Sequence, residues 1–127
     1  MDIYIECPIR VSITVVEFDE RVPSMKFSVE VFVEKFDCSM SIKKTCWIEC
    51  AIFDSFIKSL RCGRDARIED MGKEFSLFVD AGNSQLIWSC TKEDIASNTI
   101  AASGEEVLLE GAKERILQAF EGYPRWW

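Results

Sequence analysis

Cys46 and Cys50 stand four residues apart where a helix is expected to begin, a setting in which the backbone dipole can lower a thiol pKa and favour nucleophilic or redox chemistry. Flanked by Trp47 and Ala51, the same two residues also suit small buried hydrophobes, the reading their apolar neighbours favour. Cys7, Cys38, Cys62 and Cys90 add no C-x-x-C clip, so a cysteine-only zinc site lacks its usual frame. Adjacent carboxylates at Asp19 and Glu20, Glu69 and Asp70, Glu93 and Asp94, and Glu105 and Glu106 resemble acid/base machinery. Sequence neighbours in turns rarely converge on one substrate atom, however, and solvated loops or a helix N-terminus account for them. The chain has no histidine, which removes Ser-His-Asp and Cys-His catalysis and every zinc set that uses imidazole. It also has no P-loop, dinucleotide glycine pattern or nucleophile elbow. The expectation is a non-enzymatic protein with no metal and no cofactor.

Trp126 and Trp127, following Pro124 and Arg125, are the remaining candidates for a functional contact. Two indoles in succession either fold back onto the domain or present an aromatic anchor to a partner.

Composition narrows the partner. Asp and Glu number 22 against 15 Lys and Arg, a net charge of -7 that repels a phosphate backbone, so neither nucleic acid nor an anionic membrane is an expected partner. The same charge is complementary to a basic protein. No apolar run approaches the roughly 20 residues of a membrane helix, and MDIYIECPIR does not read as a secretory signal. A cytoplasmic protein with reduced cysteines is therefore expected. At 127 residues and 48% hydrophobic, with 9 Phe and 4 Trp, the chain is predicted to form a single domain over residues 1–127.

The elements that must position these residues follow from periodicity. Val11, Ile13 and Val15 alternate with Ser12 and Thr14, and Asp19, Glu20, Arg21 and Pro23 supply a turn. Phe27, Val29, Val31 and Val33 form the cleanest strand, with Phe32 the one large apolar side chain on its polar face. Met40 and Ile42 continue on a third strand. The period then changes: Ile52, Phe53, Phe56, Ile57 and Leu60 fall in one helical stripe, closed by Arg61 and Gly63.

A second block of strands is expected at Ala66 to Glu69, at Phe75, Leu77 and Val79, and at Gln85 to Cys90 after the Asp80 to Asn83 turn. A last strand is expected at Ile95 to Ala102. The segment Ser103, Gly104, Glu105, Glu106 fits a capping box, so the spacing predicts a second helix behind it, burying Val107, Leu108, Gly111, Ala112, Ile116, Ala119 and Phe120. The predicted class is α+β: an antiparallel sheet built from two strand blocks, each followed by an amphipathic helix packed on the sheet.

This order of elements, with "WIECAIFDSFIKSL" as a strand end leading into a Phe- and Leu-bearing helix and "EFSLFVDAGNSQLIWSC" as a glycine-turned hairpin, resembles the immunity proteins of bacterial polymorphic-toxin systems. The likeness spans roughly residues 12–120; Asp2 to Cys7 and the Arg125, Trp126, Trp127 end lie outside it. The resemblance implies a small cytoplasmic protein that binds one cognate toxin tightly and blocks it without turnover. It carries over no catalytic and no interface residues. The acidic surface would suit a basic, nuclease-type toxin. Two alternatives stay open: a small acidic secretion chaperone or adaptor, though such chaperones usually open with a helix, and a small-ligand module using the cleft between sheet and helix.

Overall fold

In the computed structural model, which describes residues 2–127, the strands form two antiparallel four-stranded sheets rather than one. The first meanders through β1 (Ile3–Ile5), β2 (Arg10–Asp19), β3 (Ser24–Lys35) and β4 (Cys38–Glu49) and leads into α1 (Cys50–Arg61). The second meanders through β5 (Ala66–Glu69), β6 (Phe75–Asp80), β7 (Gln85–Glu93) and β8 (Thr99–Val107), and α2 (Ala112–Glu121) follows. The α+β class holds. No helix among the described residues is long and apolar enough to cross a membrane.

Alternation in the sequence becomes a buried face. Val11 and Ile13 of β2, Phe27, Val29 and Val31 of β3, and Cys46 and Ile48 of β4 all point inward. In the second sheet Ile68, Phe75, Leu77, Val79, Leu86 and Trp88 do the same. Phe32, on the outer face, is half-buried because the Arg10 guanidinium lies 5.0 Å above its ring, across the register that pairs the two residues.

The first helix forms where expected, with Phe53, Phe56, Ile57 and Leu60 buried. Cys50 joins this stripe, whereas Ile52 lies at its exposed border. Phe53 is the hub of the core: its ring is 6.3 Å from Phe27, 5.4 Å from Phe120 and 6.0 Å from Tyr123. Full burial of such a side chain is worth about 2–3 kcal/mol.

The second helix departs from expectation. Ser103 to Glu106 belongs to β8, not to a capping box, and Gly111 with φ 85° precedes the helix that begins at Ala112. The strand also starts later than expected, at Thr99, because residues 95–98 form the β7–β8 turn. The physical reason lies on the inner face of β8. Gly104 sits opposite Trp88, where a Cβ would come within 2.5 Å of the indole Nε1, and Glu106 is buried with Lys35 of β3 as its ion-pair partner. These residues alternate as a strand requires, and nine consecutive pairs with β7 use their backbone groups. Of the expected stripe, Ala112, Ile116 and Phe120 are buried in the helix, Leu108 is buried in the preceding loop, and Val107 is exposed. Moreover, α2 does not pack on the block it follows. Its contacts are with β1 and α1, across the chain.

Candidate functional site

The two sheets meet along a seam closed by a backbone hydrogen bond, Met71 N–H to Trp47 O at 2.7 Å. Beside it lies an open groove of 510 Å³, built from three separate segments: the β2–β3 turn with Asp19, Val22 and Ser24, the end of β4 with Thr45, Cys46 and Trp47, and the β5–β6 loop from Asp70 to Glu74. Val22 and Met71 are 55% and 54% exposed, so apolar surface lines the rim.

Asp70 fixes the loop. It is buried, and its Oδ1 accepts from the N–H groups of Glu74 at 2.7 Å and Phe75 at 2.8 Å, satisfying two donors that the tight turn leaves without strand partners. Asp70 N–H in turn donates to Phe75 O at 3.1 Å. The pair Glu69 and Asp70 therefore separates into a half-buried strand residue and a buried turn cap, not an acid/base couple.

Below the groove, Lys44 on the inner face of β4 donates to Glu74 Oε1 at 2.8 Å, and Lys92 lies 3.4 Å from Oε2. The Lys44 hydrogen bond is the main cause that lowers the Glu74 pKa. Burial works to depress Lys44, but the Glu74 bond and the surrounding carboxylates outweigh it and its pKa is raised. Both groups stay charged near neutrality.

Cys46 lines the groove, whereas Cys50 lies outside it at the start of α1. Burial, with Asp70 adding to it, pushes Cys46 up to about 12, and burial with Asp54 pushes Cys50 up to about 11. Burial likewise raises Cys90. A dipole at the start of α1 is too weak to offset the removal of a thiolate from water. Cys7, Cys38 and Cys62 are exposed, and all six cysteines are free thiols.

Trp126 and Trp127 fold back against the domain and part in role. Trp127 stacks edge-on against Phe53 at 5.6 Å and donates its Nε1 hydrogen to Asp54 Oδ2 at 2.8 Å. Trp126 rests on Trp127 and on Phe18 at 5.2 Å, leaving 36% of itself and 59% of Phe18 exposed. Phe18 immediately precedes Asp19 on the groove's rim, so the aromatic pair and the groove border the same β2–β3 turn. The other carboxylate pairs do not converge either: Asp19 caps Arg21 N–H, Asp94 caps Ala96 and Asn98, and Glu105 and Glu106 face opposite sides of β8.

Sequence reasoning missed the groove, the Asp70 cap and the Asp54 latch. Asp54 lies outside the apolar stripe of α1 and carried no signal in the sequence, whereas an Asp before Met-Gly was the signal for Asp70. No protein-family model, curated protein or solved structure matches the chain.

Proposed function

We propose that this protein acts by binding, as a cytoplasmic immunity protein that holds a cognate bacterial toxin in a tight complex and blocks it without turnover. The observation that carries the proposal is the seam groove. Val22 and Met71 give it an exposed apolar rim beside Trp47 and Asp19, and it is held between strand ends and a loop that the buried Asp70 carboxylate fixes. Exposed apolar side chains on a hydrogen-bonded frame are a surface suited to a protein contact. A strand block and a helix, then a second strand block and a helix, is the coarse layout on which the resemblance rests. A net charge of -7 favours a basic toxin.

Co-expression tests the proposal: the toxin domain encoded beside this gene is expected to kill cells alone and to be neutralised with this protein present. Equal killing in both cases refutes it. Met71→Asp, at an exposed rim position, is expected to weaken protection while leaving the fold intact.

The groove also favours a second reading, a small-ligand module, because 510 Å³ lies within the range of ligand pockets. Native mass spectrometry of protein purified from cells separates the two: a retained small molecule supports the ligand reading.

A further inference from the structure

Four strands border the two sheets, and two of them, β1 and β5, are short and covered. β1 has three residues and α2 packs on it. β4 is long, but Met71 N–H meets it at Trp47 O and it carries Lys43 and Lys44, a residue type that blunts an edge. β5 has four residues and α1 lies against it. β8 differs: it runs for nine residues, its sole strand neighbour is β7, and its register carries no bulge.

The phase of its hydrogen bonds can be read from both ends. Asp94 N–H donates to Asn98 O, and Leu108 N–H donates to Ser84 O; both pairs lie on the register that joins β7 to β8. Because narrow and wide pairs alternate in an antiparallel ladder, the even-numbered residues of β8 bond to β7. The N–H and C=O groups of Thr99, Ala101, Ser103, Glu105 and Val107 therefore point away from the sheet. Among the described residues, none of them makes a backbone hydrogen bond on that side.

Proteins normally blunt such an edge with Pro, Lys or a bulge. The β8 sequence TIAASGEEV contains none of these. Its middle, Ala101 to Gly104, is small, leaving room for bulky side chains on an incoming strand. The carboxylates of Glu93, Glu105 and Glu110 are exposed on or beside it, with Asp94 capping the adjoining turn, and the one lysine of β7, Lys92, is paired at 3.4 Å with Glu74.

We propose that the β8 edge docks an extended, basic segment of a partner protein, which adds a fifth strand to the second sheet. Backbone bonding to the outward row supplies affinity, and Lys or Arg side chains opposite Glu105 and the hairpin acids supply selection. A second copy of this chain is disfavoured because each brings a net charge of -7. The proposal does not depend on the partner being a toxin, so failure of the co-expression test leaves it standing.

The test uses a fluorescein-labelled nonapeptide of alternating Lys and Val, with an alternating Glu and Val peptide as control. The basic peptide is expected to bind the whole protein and to slow hydrogen exchange at the amides of Ala101, Ser103 and Glu105. Ser103→Pro removes one outward donor without touching the β7 ladder and is expected to weaken binding about tenfold. Glu105→Lys provides a second variant with no backbone change, and the same direction is expected. Equal binding of the acidic peptide, unchanged affinity in both variants, or exchange protection confined to other strands overturns the proposal. So does a dimer of the free protein in sedimentation that Ser103→Pro dissolves, which would assign the edge to a second copy.

Discussion

Trp127 is tied to Asp54 across 73 residues of chain by an indole hydrogen bond of 2.8 Å. Arg125 holds the other oxygen of the same carboxylate, also at 2.8 Å, so one side chain on α1 secures the segment from Arg125 to Trp127. The Arg125 pair is largely exposed and contributes little by itself. The half-buried indole bond matters more, because it also keeps Trp127 against Phe53. Replacing Asp54 by Ala is expected to cost about 1–2 kcal/mol. Urea unfolding measures the loss, and a red shift of tryptophan emission in the folded variant would report the freed strap.

Gly104 is expected to tolerate no larger residue. An added Cβ would lie 2.5 Å from Trp88 Nε1 and 2.8 Å from Cε2, and Trp88 is fully buried with nowhere to retreat. Gly104→Ala should therefore destabilise by about 1–3 kcal/mol through overpacking. Thermal unfolding gives the magnitude, and near-ultraviolet circular dichroism should show the indole displaced.

Asp70→Ala leaves the N–H groups of Glu74 and Phe75 without their shared acceptor. A loss of about 2–3 kcal/mol is expected, with Asp70→Asn milder because one oxygen remains. The same substitution should loosen the loop that lines the groove. Faster hydrogen exchange at residues 71–75, measured under native conditions, is the accompanying signature.

The cysteines should divide cleanly by burial. A thiol reagent at pH 8 is expected to label Cys7, Cys38 and Cys62 in the native protein, and Cys46, Cys50 and Cys90 only after unfolding. The raised values also set a sign for stability at alkaline pH. With folded values of about 12 for Cys46 and about 11 for Cys50 against an ordinary 9.0, the folded state keeps protons that the unfolded state releases. Stability from these two groups is whole below pH 9 and falls as pH rises toward 11–12. Cys46→Ala should flatten that fall in unfolding measured across the window.

The strands that could be read from the sequence were those with one face in the core. Val11 and Ile13, or Phe27, Val29 and Val31, alternate because burial demands it, and the α1 stripe is equally legible. Ser103 to Glu106 misled for the complementary reason. Its inward positions are a glycine beneath Trp88 and a glutamate paired with Lys35, so the pattern that marks a strand was written in side chains that periodicity does not count. The candidate site was less legible still. Trp126 and Trp127 can be singled out by type, but the partners that pin them, Phe18, Phe53 and Asp54, are distant in sequence. The groove draws on residues 19–24, 45–47 and 70–74, whose convergence depends on how the two sheets abut.

Because α2 packs on β1, the core is closed by contacts between two elements far apart in the sequence. A chain emerging from the ribosome can form the β2–β4 meander and α1 early, but Phe53 and Phe56 stay uncovered until Phe120 has been made. Synthesis of α2 thus becomes the step that commits this core to its native state. A nascent chain not yet extended through α2 would expose those two rings to chaperones and proteases, so a fragment that stops short of α2 does not close the core.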